Sequence, residues 1–403
     1  MNILLIGNGF DLAHGLPTRY NDFLDFLKYI DTEQRLSSIK IHPEIEKLLT
    51  DDNNIEHINE MKRLIYNNIW FEYFLYKENI GPSWCDFEAE MEYVIIHLEN
   101  FKKLLENNHE FIISENVNVI EGVDVLDFLM HYFAIKFNIC RDEIQIKKDA
   151  SIAVNGEKEY IKVTLGRRFK NPTPILYKIY KAISYEDFIN SLLEELKRFT
   201  KCFELYLSYF VNKIDIMPIS FINKILINDP NIKILSFNYT NTIDKYHKQI
   251  FSMPCFIHGQ ALNNSLDNLV LGINETSNKV DPLFTNFRKY FQRISKNCDR
   301  SYRDWINQIN FRFHGSKVSL GSEHNRIYII GHSLGLSDKD ILNELITLPG
   351  TKTTIYYHNN KNELLQNLAA ILGSKTFTEY FENNAIQFIE GEFNKKVQTI
   401  TNL

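Results

Sequence analysis

Residues 1–20 read MNILLIGNGFDLAHGLPTRY. Ile3, Leu4, Leu5 and Ile6 form an unbroken apolar run, which predicts a strand buried on both faces. The run begins too close to Met1 to leave room for the charged leader of a signal peptide. Gly7-Asn8-Gly9 follows at once. A strand passing through a glycine-rich turn into a helix is how α/β folds bring backbone N–H groups to a phosphate. Two readings stay open here. A Gly-x-Gly turn also occurs where two elements pack closely, and the third glycine of a dinucleotide fingerprint is missing at Asp11 and Leu12.

The whole chain sets the limits within which this turn is read. With 403 residues it is long enough for a large core and for more than one module. A formal net charge of -6 argues against a general nucleic-acid coat or an anionic-membrane binder. No apolar run reaches membrane-spanning length. Cys85, Cys140, Cys202, Cys255 and Cys298 are scattered, odd in number and without a CxxC pair, which fits neither a disulfide framework nor a zinc knuckle. The expected compartment is a reducing cytoplasm.

After the opening strand the pattern turns helical. Phe23, Phe26, Leu27 and Ile30 share one face, and further helical patterns cover residues 59–78, 85–108, 123–137 and 184–214. Residues 143–170 change character and read as a β-like excursion around Asn155-Gly156. Short strands then return in NIKILSFNYT, MPCFIHG, NLVLGIN, NRIYIIGHSLG, TKTTIYYHN and IQF, several of them separated by helices. The expected fold is α/β, a Rossmann-like, mainly parallel sheet with a large inserted helical region. Residues 1–40 and 221–403 would form the nucleotide-binding domain, and 41–220 the helical insertion.

In open sheets of this kind ligands sit beyond the carboxyl ends of the strands. The polar residues there are Gly7-Asn8-Gly9 with Asp11, His14 and Arg19; Asn238 to Asn241; His258-Gly259; and Gly331-His332-Ser333 with Asp338 and Asp340. The GHSLG run imitates a nucleophile elbow. A hydrolase would then need an acid and a histidine further along on strand-end loops, and after Asp340 no aspartate remains. No HExxH occurs, so a metal site is not expected, and Asp338 and Asp340 read as solvated helix starts.

The N-terminal stretch, followed in order by FNYTNTID, FIHG and IIGHSLGLSDKDIL, closely resembles the bacterial AbiH family of abortive-infection proteins. A more distant likeness is to the sirtuin-type NAD-binding fold and its NAD-hydrolysing defence relatives. There a Gly-Ala-Gly turn precedes Gly-Ile-Pro-Asp-Phe-Arg, matched here by Gly7-Asn8-Gly9 and Gly15-Leu16-Pro17. Asn238 falls on the catalytic asparagine, with Asn241 as a competing match. His258-Gly259 falls on a catalytic His-Gly, and Gly331-His332-Ser333-Leu334 on the late Gly-Thr/Tyr-Ser-Leu. The Asp-Phe-Arg lid and the four-cysteine zinc module are absent, which disfavours protein deacylation.

The resemblance implies a cytoplasmic anti-phage effector that cleaves the nicotinamide–ribose bond of NAD. Asn238, His258, Asp11 and His14 would be catalytic. Gly7, Asn8, Gly9, Arg19, Asn241, Gly331, Ser333 and Asp338 would bind the nucleotide, without a metal. A phage-derived trigger and a homo-oligomer are the expected partners, and a nicotinamide or adenine nucleotide the ligand. The alternatives are a non-hydrolysing sensor of NAD or ADP-ribose and an RNA-directed nuclease toxin.

Overall fold

The computed structural model describes residues 1–31, 39–80, 87–107, 185–246, 252–262, 267–273, 281–315 and 318–395. The expected helix over 123–137 and the β-like excursion at 143–170 lie outside these residues. Six strands are described: β1 (Asn2–Ile6), β2 (Lys233–Ser236), β3 (Cys255–Phe256), β4 (Asn325–Ile330), β5 (Thr351–Tyr357) and β6 (Ile386–Glu390). They hydrogen-bond in the order β3-β2-β1-β4-β5-β6, every pair parallel. This is the doubly wound Rossmann order, in which the direction of winding reverses between β1 and β4.

The helices among the described residues are α1 (Asn8–Ala13), α2 (Tyr20–Asp31), α3 (Pro43–Leu49), α4 (Ile55–Ile65), α5 (Ile69–Ile80), α6 (Phe87–Asn107) and α7 (Tyr185–Tyr209). They continue with α8 (Ser220–Asn228), α9 (Lys289–Ser295), α10 (Tyr302–Phe313), α11 (Lys339–Ile346), α12 (Lys361–Leu372) and α13 (Ser374–Glu382). Two compact units result. One comprises Met1–Tyr66, Thr200–Asn274 and Lys289–Leu403, and contains the sheet. The other comprises Asn67–Phe199 and Glu275–Arg288.

The apolar run of β1 explains its central place. Ile3 and Leu5 face one core with Leu235, Ile327, Ile329 and Ile355, closed by residues of α10, α11 and α12. Leu4 and Ile6 face the other, with Phe10 of α1, Ile222 and Leu226 of α8, and Tyr246. Burying both faces is what a contiguous apolar strand requires, and each such Leu or Ile contributes roughly 1.5–3 kcal/mol.

Two sequence expectations are corrected. The helix expected over 59–78 is two helices. Asn67 adopts φ 52°, and Asn68 Oδ1 accepts the N–H groups of Trp70 and Phe71. An asparagine in the left-handed region followed by an asparagine cap ends one helix and starts another. Residues 268–273, within the expected strand NLVLGIN, form no strand of the described sheet. Their backbone bonds go partly to side chains: Gln292 Oε1 accepts Leu271 N–H, Gln292 Nε2 donates to Leu271 O, and Lys296 Nζ donates to Leu269 O. Val270 N–H donates to His258 O, and Ile273 O accepts Lys289 N–H. In the second unit, Trp70, Phe74, Phe87 and Phe199 pack an aromatic core, and buried Arg288 pairs with Glu99 at 2.6 Å.

At the reversal point the turns after β1 and β4 touch. Gly7 N–H donates to Ile330 O at 3.1 Å and Gly9 N–H to Gly331 O at 2.6 Å. Gly331 sits at φ 68°, and a Cβ there would lie 2.0 Å from Phe10 N. Left-handed strain and a clash with backbone both act against any side chain, so Gly331→Ala is expected to cost about 2–5 kcal/mol. Urea denaturation of the purified variant measures this; a loss under about 1 kcal/mol would contradict the packed turn.

Candidate functional site

Backbone register brings the polar strand ends to one depth. Ile6 pairs with Ser236, and Ser236 with Phe256. Asn238 and His258 therefore stand two residues beyond paired positions on adjacent strands. Ser236 Oγ accepts Asn238 N–H and donates to Asn238 O, both at 3.2 Å, bending the chain as it leaves β2. After β3, Gly259 turns with φ 82°, and Val270 N–H donates to His258 O. Asn212 ties the two loops together: its Oδ1 accepts Asn241 N–H and its Nδ2 donates to Ala261 O.

Two polar clusters lie along this edge. In the first, Thr240 Oγ1 donates to Asp11 Oδ2 at 2.6 Å and stands 3.0 Å from Thr242 Oγ1. Burial pushes the Asp11 carboxyl up to about 6, against the lowering effect of Thr240, Thr242 and nearby Asn238. In the second, Asp338 Oδ1 lies 3.1 Å from His258 Nε2 and 3.4 Å from Lys289 Nζ. Its Oδ2 lies 3.4 Å from Ser337 Oγ and 3.6 Å from His332 Nε2. Asp338 stays ionised, held well below the usual carboxylate range by Lys289 and His258 in spite of its burial. Burial and the Lys289 charge depress His258 to about 4, although Asp338 opposes them.

An ionised carboxylate only accepts, so the His258 proton sits on Nε2 and Nδ1 carries the lone pair. That Nδ1 is buried with no protein partner. Asp11 Oδ1 and both amide atoms of Asn238 are likewise buried and unpartnered. Buried polar atoms of native proteins are nearly always hydrogen-bonded. Four such atoms gather on three neighbouring strand-end segments, and between them they offer both donors and acceptors.

The other sequence candidates stand elsewhere or are engaged. His14 is satisfied at both nitrogens: Nδ1 lies 2.7 Å from Phe10 O, and Nε2 2.8 Å from Tyr246 OH. A carbonyl oxygen only accepts, so His14 Nδ1–H donates to Phe10 O, and Nε2 accepts from Tyr246 OH, whose oxygen in turn accepts Ile219 N–H. Asn8 and Thr18 bond each other: Thr18 Oγ1 donates to Asn8 Oδ1 at 2.6 Å and Asn8 Nδ2 to Thr18 O. The N–H groups of Gly7 and Gly9 are taken by the β4 turn. Arg19 lines a separate cavity of about 200 Å³, with Lys40, His42 and Tyr206. Ser333 is exposed, and Asn241 is only half-buried, whereas Asn238 is buried.

Asp338 reverses its expected role. It stands at the N-cap of α11 but makes no capping bond; its carboxylate turns inward instead. Lys289, at the start of α9 and 2 % exposed, was not singled out by the sequence. Arg288-Lys289 looks like an ordinary surface basic pair, and its partner lies 49 positions away. Among the described residues no group of three His, Cys, Asp or Glu is placed to hold a metal ion. No helix among them is long and apolar enough to cross a membrane.

Comparison with known proteins adds one finding. The family model described as bacteriophage abortive infection AbiH matches residues 3–359. No curated protein matches the chain.

Asp11 gives the cluster a measurable pH signature. A carboxyl raised from its ordinary value to about 6 contributes its full stability below about pH 4. That contribution is lost as pH rises through 6, by up to about 3 kcal/mol. Asp11→Asn removes the titrating group. Its stability relative to the native chain is therefore expected to climb between pH 4 and pH 7. Urea denaturation across that range tests the burial, and a flat difference would contradict it.

Proposed function

Because the chain belongs to the AbiH family of phage abortive-infection proteins, we propose that it acts in that role as an NAD glycohydrolase, cutting the nicotinamide–ribose bond. The observation that carries this reading is the set of unpartnered polar atoms of Asp11, Asn238 and His258 at the carboxyl edge of a Rossmann-ordered sheet. Nucleotides bind at that edge in doubly wound folds. In the motif order that resembles sirtuin-type enzymes, His258 and Asn238, with Asn241 as the competing match, would fall on catalytic positions.

Nicotinamide in NAD is already cationic and leaves with the electron pair of the broken bond. The enzyme's work is to position the ribose, stabilise an oxocarbenium-like centre and deliver water. The Asn238 amide both donates and accepts, which suits a ribose hydroxyl or the attacking water. Asp11, ionised above about pH 6, would stand as the negative group beside the developing positive charge. Water adds at C1′, and its proton passes to His258 Nδ1 and on to solvent. The products are nicotinamide, ADP-ribose and one proton. With the Gly7 and Gly9 N–H groups engaged, contacts to the pyrophosphate fall to side-chain donors or to a rearranged turn.

The experiment is incubation of the purified chain with NAD, alone and with an extract of phage-infected cells, following free nicotinamide by chromatography. Turnover is expected in at least one condition, and His258→Ala or Asn238→Ala should lower it by about 10²–10⁴-fold. Intact NAD recovered from a tight complex under every condition would replace this reading with a non-cleaving nucleotide sensor.

A further inference from the structure

We propose that Lys289 and Asp338 are positioning residues that fix His258 in its Nε2–H tautomer and aim the Nδ1 lone pair at the site. The inference rests on the reading of His258 as the base and adds what sets its state. Three observations support it. Asp338 Oδ1 is shared between His258 Nε2 at 3.1 Å and Lys289 Nζ at 3.4 Å. All three side chains are nearly excluded from solvent. The remaining His258 nitrogen has no protein partner.

The charge balance explains why a lysine belongs there. A lone buried carboxylate beside an imidazole stabilises the imidazolium, which has no basic lone pair left. Lys289 neutralises that carboxylate, so the orienting hydrogen bond is kept while the pull towards the cation is cancelled. Among the described residues, the other groups facing the cluster act in the same sense or leave the balance alone. Arg293, on the same helix as Lys289, adds positive potential at His258. His332 accepts Leu334 N–H at Nδ1, which leaves its own Nε2–H turned towards Asp338 Oδ2. The rings of Phe237 and Tyr239, 5.6 and 6.2 Å from the His258 ring, supply no charge. Both imidazoles then present N–H groups to one carboxylate, and the net charge of the group is zero.

Nitrogen-15 NMR of the full chain, labelled at histidine and assigned with His258→Gln, reads tautomer and titration directly and requires no turnover. The native chain is expected to show His258 protonated at Nε2 and neutral down to about pH 4. Lys289→Met should raise its titration midpoint by at least one pH unit. Asp338→Asn, whose amide offers a donor as well as an acceptor, should populate the Nδ1–H form. If Lys289→Met does not fold, the tautomer in the native chain and in Asp338→Asn still decides the matter. A native Nδ1–H tautomer, or a midpoint unmoved by Lys289→Met, would overturn the proposal. In the NAD assay, Asp338→Asn should lower kcat by about 10²–10⁴-fold with KM little changed. Absence of NAD cleavage with the expected NMR result would reject the glycohydrolase reading and leave the positioning network standing.

Discussion

The contact between the turns after β1 and β4 is the constraint on which the sheet's carboxyl edge depends. Gly9 donates its N–H to Gly331 across a gap that admits no Cβ on either residue. This closes the central crevice by direct backbone contact and leads α1 away with Phe10 packed under the sheet. Asp11 is thereby carried one turn later to the hydroxyl of Thr240. The glycine pair at residues 7 and 9 thus works first as a close-packing device. Of the two readings open from the sequence, the packing one accounts for both N–H groups.

From that constraint the electrostatics follow. The edge holds one carboxyl raised by burial and another held ionised by a lysine, with a histidine depressed between opposing influences. Groups in similar burial are pushed in different directions by their immediate partners, a pattern typical of sites that move protons. The network around Asp338 is assembled from the segments after β3 and β4 and from α9, so no short stretch of chain contains it.

That distribution also explains what could be read in advance. Ile3 to Ile6 and Ile327 to Ile330 declare buried strands because a strand covered on both sides has only apolar positions. Asn238 and His258 were visible because each ends a short apolar run, and parallel topology delivers strand ends to one edge. Asp338 reads as a solvated helix start because an acid at a helix N-terminus is ordinarily exposed, and only the fold reveals its burial and its partners. Lys289 carried no local signal, since its burial is a property of what packs around it. The run NLVLGIN imitates a strand because its contiguous Leu269, Val270 and Leu271 are buried as a strand's would be. What it lacks is a regular ladder: its backbone groups bond partly to His258 O and Lys289 N–H and partly to side-chain amide and ammonium groups.

Gln292 has a consequence beyond that local substitution. β3 is only two residues long and, among the described residues, stands last in the sheet, the position at which another extended chain can add itself. The extended segment beside it has its amide and carbonyl at Leu271 claimed by the two ends of one glutamine, and its carbonyl at Leu269 by Lys296. A foreign strand meeting this segment finds these groups already occupied.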